Sequence, residues 1–133
     1  MVIEVTHRPL DPQAVIELVR DPSCGAIVAF IGTVREVSHG REVIQLEYQA
    51  YREMAEAKLG EICGDIAARW KTERTAIVHR VGPLSLGEIS VVIAVAHPHR
   101  QPAFEAAQFA IDRIKEIVPI WKKEHWRNGA GWV

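Results

Sequence analysis

The chain has 133 residues, of which 48% are hydrophobic and 25% charged, with a net charge of −1. That size and balance fit one globular domain with one core, and near-neutrality removes the electrostatic case for a nucleic-acid binder. Cys24 and Cys63 are the only cysteines and form no CxxC pair, which argues against a disulfide framework or a structural zinc site and makes a reducing cytoplasm the expected setting.

The opening, MVIEVTHRPL, lacks the pattern of a signal peptide, and its IEVTH stretch (3–7) reads as a short strand. Asp11 and Pro12 then mark a helix start, as N-cap and first helical residue. DPSCG (21–25) is a turn. AIVAFIGTV (26–34) is an apolar, β-branched run, expected as a buried strand and too short to cross a membrane. REVSHGRE (35–42) reads as a polar loop. VIQLEYQAY (43–51) alternates, placing Ile44, Leu46, Tyr48 and Ala50 on one face of a half-buried strand.

Residues 52–70 carry Met54, Ala55, Leu59, Ile62, Ile66 and Trp70 at helical spacing. TAIVHRVG (75–82) is a strand, PLSLGE turns the chain, and ISVVIAVAH (89–97) is the clearest strand of all. A helix opened by Pro102 runs over 102–118, and Pro119 ends it. The order, roughly β-α-β-β-α-β-β-α plus a tail, predicts an α+β fold with a mostly antiparallel sheet packed with helices.

Chemistry can sit at four places. AHPHRQPAF (96–104) ends a buried strand just before a helix, whose first-turn N–H groups and dipole favour an anion beside His99 and Arg100. His97 and His99 lack a third ligand, so no metal is expected. On the following helix, Phe104, Ala107, Ile111, Ile114 and Val118 define the predicted stripe, and Lys115 lies roughly 60° from its centre, nearer than the other charges. It reads either as a lysine with a buried stem or as an amine at a pocket wall, useful for proton transfer. VPIWKKEHW (118–126) bends at Pro119, with Trp121 expected to anchor the bend and direct Lys122 or Lys123 back towards Lys115. GTVRE (32–36) ends a core strand, where Gly32 permits close backbone approach and Arg35 enters a loop. The cysteines sit in apolar contexts and read as core residues. No Walker A, GxGxxG, GxSxG or HExxH motif occurs.

Taken together, GAIVAFIGTVRE, LEYQAYREMAE, VHRVGPLSLGE, ISVVIAVAHPHRQPAFEAAQFAIDRIKEIVPIWKKE and the final WV resemble the large, catalytic subunit of molybdopterin synthase over most of the chain. HRxxAFEA followed by IKxxVPIWKKE is the most diagnostic part. The resemblance implies an α/β hammerhead fold and a homodimer that binds two small ubiquitin-like sulfur-carrier subunits, giving a heterotetramer. The carrier's Gly-Gly tail ends in a thiocarboxylate, whose sulfur converts cyclic pyranopterin monophosphate into molybdopterin during molybdenum cofactor biosynthesis.

By motif position, the resemblance assigns catalysis to Lys115 and Lys122. It assigns substrate binding to Thr33, Val34, Arg35, His99, Arg100, Lys123 and Glu124, with Lys115 and Lys122 sharing in it. No bound metal or cofactor is expected for catalysis, and the charge and the short apolar runs leave neither nucleic acid nor membrane as an expected partner. Members of that family often continue past the WV with a charged tail; this sequence ends at Val133. The competing expectation is a non-catalytic module that binds a ubiquitin-like tail or a phosphate ligand.

Overall fold

The computed structural model describes residues 1–38 and 40–133, with Ser38 described through its backbone alone. His39, in the predicted polar loop, lies outside the described residues. The elements run β1 (Val2–Thr6), α1 (Pro12–Val19), β2 (Ala26–Thr33), β3 (Val37–Ser38), β4 (Arg41–Ala50), α2 (Arg52–Trp70), β5 (Thr75–Arg80), β6 (Gly82–Ser85), β7 (Ile89–His97), α3 (Arg100–Ile117), β8 (Ile120–Trp126) and β9 (Gly129–Trp132). They form an α+β fold of three helices and mainly antiparallel strands among the described residues, as the sequence predicts, but the strands make two sheets and not one.

The first sheet has the order β1-β5-β7-β2; β1 and β5 run parallel, while β5–β7 and β2–β7 are antiparallel. Strand β7 is apolar from Val91 to Ala96 because both its faces are covered. Val91, Ile93 and Val95 pack with Leu59, Ile62 and Ile66 of α2 and Ala106, Ala107 and Ala110 of α3. Val92, Ala94 and Ala96 point the other way, to Val15 and Val19 of α1. The period of 2 therefore splits one strand between two cores, each fully buried Val or Ile contributing about 1.5–3 kcal/mol. Helix α1 begins as expected, with Asp11 Oδ1 accepting the Gln13 N–H at 3.1 Å.

The second sheet has the order β3-β4-β8-β9, with β6 also paired to β4. A smaller core of Val34, Val43, Leu46 and Leu84 underlies it.

Six expectations change. Strand β2 is not buried: among the described residues it is an edge, paired only with β7, and it exposes Ile27, Phe30 and Ile31. In β4, a register shift between Val43 and Gln45 turns Val43 inward and leaves Ile44 50% exposed. Met54 is exposed at the start of α2, and Cys63 takes a core place instead. PLSLGE is not wholly a turn, since Gly82–Ser85 forms β6 and the reversal falls at Leu86–Gly87. Helix α3 begins at Arg100, with Pro102 inside its first turn, where its missing N–H costs nothing. Its buried face runs through Ala103, Ala106, Ala107, Ala110 and Ile114, while Phe104 is 62% exposed. The small alanines, not the bulkiest residues, meet the sheet.

Candidate active site

Pro119 stops α3, and the chain passes directly into β8, which runs antiparallel beside β4. Trp121 does not anchor a bend; it is an exposed strand residue. In a strand, alternate side chains share a face. Ile120, Lys122 and Glu124 accordingly line a cavity of about 580 Å³, whereas Trp121 and Lys123 do not. Lys123 lies 5.7 Å from the Trp132 ring on β9, a cation–π contact.

The cavity lies between the two sheets at the C-terminal end of α3. Helix α3 supplies Ile111, Ile114 and Lys115, β2 supplies Phe30 to Thr33, and Arg35 follows that strand. Tyr48 of β4, His79 of β5 and Ser90 of β7 complete a polar wall. Gly32 lets β2 close down here: a Cβ on it would stand 2.7 Å from Val91 Cγ1 and 3.3 Å from Ser90 Oγ.

The cavity thus gathers Arg35, Lys115, Lys122 and Glu124. Lys115 stands in the last turn of α3, where the helix dipole favours a cation. The Lys122 ammonium is held below the usual lysine range, first by burial and then by the Lys115 charge. Glu124 opposes that shift, and Arg35 adds to it. Glu124 is 1% exposed, and its Oε1 accepts the Trp126 indole N–H at 2.8 Å. Among the described side chains of this wall Arg35, Lys115 and Lys122 outnumber Glu124, which suits an anionic ligand, and a lysine displaced towards neutrality suits proton transfer.

Thr33 joins this wall; Val34 is buried in the small core beside it. His99 and Arg100 do not reach the wall. They open α3, and Arg100 and Lys115 are 15 positions apart on one helix, roughly 22 Å at about 1.5 Å per residue. His97 serves the backbone with both nitrogens: Nδ1 accepts the His99 N–H at 2.9 Å, and Nε2 lies 2.9 Å from the Trp70 carbonyl. That leaves its ring no lone pair for a metal. Burial pushes the Cys63 thiol up to about 11, so it is no thiolate nucleophile at neutral pH.

Glu124 was reached only through the family resemblance, although its alternation with Lys122 was readable once β8 was recognised as a strand. His79, Tyr48 and Ser90 were not singled out. No helix among the described residues is long and apolar enough to cross a membrane.

A sequence model of the family described as "MoaE protein" matches residues 5–117. The molybdopterin synthase catalytic subunit of Halalkalibacterium halodurans is 51% identical over 129 residues, spanning 97% of this chain and 83% of that protein. The crystal structure of molybdopterin synthase from Staphylococcus aureus superposes with a TM-score of 0.94 at 46% identity, covering 98% of this chain and 95% of that one. A chain from the Helicobacter pylori complex of subunits 1 and 2 of molybdopterin-converting factor shares the fold, with a TM-score of 0.75 at 21% identity, covering 100% of this chain and 90% of that chain.

Proposed function

The chain belongs to the MoaE protein family, and from that premise we propose that it is the catalytic subunit of a molybdopterin synthase, acting in molybdenum cofactor biosynthesis. Its substrate is cyclic pyranopterin monophosphate, and its sulfur donor is the C-terminal thiocarboxylate of a small ubiquitin-like carrier subunit. The observation that carries this reading is the convergence of Arg35, Lys115 and Lys122 on one cavity, with the Lys122 ammonium displaced towards neutrality.

Each part of that wall has a task in the transfer. Arg35 offers a planar fork to the substrate's phosphate. The thiocarboxylate sulfur is itself the nucleophile, so no cysteine is required, in keeping with the buried Cys63 thiol. It attacks an electrophilic carbon–oxygen centre of the pterin side chain: the carbon–sulfur bond forms as the carbon–oxygen π pair moves onto oxygen, which is protonated and later leaves as water. Water then cleaves the carrier's acyl–sulfur bond, leaving the sulfur on the pterin and a carboxylate on the carrier. Both steps develop negative charge on oxygen, which Lys115 and Lys122 stabilise while moving protons. A second transfer completes the dithiolene.

His99 and Arg100 serve this cavity from a second copy of the chain. About 22 Å of helix separates Arg100 from Lys115 within one chain, too far for one small substrate to touch both. Strand β2 offers a surface for that second copy: a free edge with Ile27, Phe30 and Ile31 exposed, two of which also border the cavity. The carriers then bind outside this pair, giving a heterotetramer.

A Lys115→Ala protein tests the assignment. It should fold and bind the carrier yet lose sulfur transfer by about 100-fold or more. Product at the normal rate overturns the role of Lys115.

A further inference from the structure

The cavity has a second, uncharged wall that the transfer chemistry leaves without a task. His79 is 6% exposed at the end of β5, opposite Val91 of β7 and edge-on to Tyr48, with ring centroids 5.1 Å apart at 70°. Its Nδ1 lies 2.8 Å from the Arg80 carbonyl oxygen. A carbonyl only accepts, so Nδ1 carries the proton and Nε2 carries the lone pair. Among the described residues Nε2 has no partner, and it is not one of the sealed polar atoms of the interior. The ring borders the cavity, so that lone pair opens into it.

A core histidine retained for packing would have both nitrogens engaged, as His97 does. His79 has one. Burial also pushes its pKa down to about 4, so the ring is neutral at physiological pH and adds nothing to the cationic wall. Beside it, burial raises the Tyr48 pKa, so the phenol keeps its proton, and its oxygen interacts with the Ser90 hydroxyl.

We infer that His79 is a substrate-binding residue, whose Nε2 accepts a hydrogen bond from an N–H or amino group on the uncharged heterocycle of the substrate. The cavity is then two-ended. Arg35, Lys115 and Lys122 hold the phosphate and the reacting centre, while His79, with Tyr48 at its edge, reads the ring. A substrate with the phosphate but no ring donor leaves the buried acceptor unpaired and binds weakly, which makes His79 a determinant of specificity.

This inference rests on the substrate class proposed above, and the experiment separates the two. Cyclic pyranopterin monophosphate is titrated into the protein complexed with a carrier that lacks the thiocarboxylate, so that no reaction follows. Inorganic phosphate is titrated in parallel. His79→Phe keeps a planar ring and removes the acceptor; His79→Gln returns a carbonyl near the Nε2 position. The expected result is an affinity for the pterin lower by about 10–100-fold in His79→Phe and largely restored in His79→Gln, with phosphate and carrier affinities unchanged.

Equal pterin affinity in wild type and His79→Phe overturns the inference, as does a matching loss of phosphate affinity. Wild-type protein that binds phosphate but no pterin overturns the proposed substrate instead. A readout without substitution covers the case of a misfolded variant. In ¹⁵N spectra of the wild-type complex, the Nε2 resonance should move upfield on pterin binding while Nδ1 stays protonated, and an unmoved Nε2 overturns the inference.

Discussion

Lys115 and Lys122 share one cavity, and after burial the Lys115 charge is the next cause holding the Lys122 ammonium below the usual lysine range. The coupling has a direction that each neighbour should reveal. Lys115→Ala removes a like charge and should raise the Lys122 pKa; Arg35→Ala should raise it less. Glu124→Gln removes the opposing carboxylate and should lower it further. Titrations of the Lys122 side chain by heteronuclear NMR measure all three, and a pKa indifferent to Lys115→Ala would disprove the coupling.

The same shift makes a statement about stability. A lysine with a depressed folded-state pKa binds fewer protons folded than unfolded, in the window between that pKa and the ordinary 10.5. Through that window stability rises with pH. Lys122→Met removes the penalised charge, so the variant should melt at a higher temperature than wild type at pH 7. Its advantage should shrink as the pH climbs towards 10.5. Melting curves against pH test this, and a pH-independent difference would assign the effect to packing alone.

Gly32 fixes the distance between β2 and β7 beneath the cavity. In Gly32→Ala the new Cβ meets the branched Val91 side chain at 2.7 Å, which must shift. A loss of about 1–3 kcal/mol in unfolding free energy is expected, with reduced activity as Thr33 and Arg35 move. Adding Val91→Ala removes the clashing methyl, so the double variant should lose less than the two single losses combined. Strict additivity in urea denaturation would show that this contact is not the cause.

If His99 and Arg100 act across a dimer, two inactive proteins can repair each other. Lys115→Ala and Arg100→Ala are each expected to be nearly inactive alone. In a mixed dimer one site combines the defects and the other has neither. Random exchange should therefore restore about a quarter of the wild-type rate. Mixing without recovery, once subunit exchange is shown by mass, would mean that the two residues do not come to one site from different copies.

Much of this architecture was readable from sequence because local signals agreed with the tertiary outcome. The Asp11-Pro12 helix start, α2 and the apolar centre of β7 are of that kind. Strand β2 was misread because an apolar run looks the same whether a chain buries it alone or leaves it as an edge. Helix α3 departs from a reading weighted by bulk: Phe104 faces out and Ile111 packs only at the core's edge, while alanines approach the sheet. A bulge in β4 moved Ile44 outward, a change of face that periodicity cannot foresee.

The site was legible in part for the same reason. Arg35 and Lys115 were visible from position on their elements, and Lys122 was reachable once the chain turned back at Pro119. The segment 120–126 looked like an irregular tail because Trp121, Lys122 and Lys123 obscure its alternation; as a strand, it sends Lys122 and Glu124 to the cavity and Lys123 to Trp132. His79 carried no signal at all, since one histidine in an apolar strand is indistinguishable from a packed one until its unpaired nitrogen is located.

The most direct test of the central claim is conversion in vitro. The purified chain is mixed with cyclic pyranopterin monophosphate and a thiocarboxylated carrier, and the dithiolene product is detected after oxidation to its fluorescent derivative. The account predicts product with the wild-type chain and its loss with Lys115→Ala. A folded wild-type chain that binds its cognate carrier and substrate yet forms no product would contradict it, leaving a module that binds without catalysing.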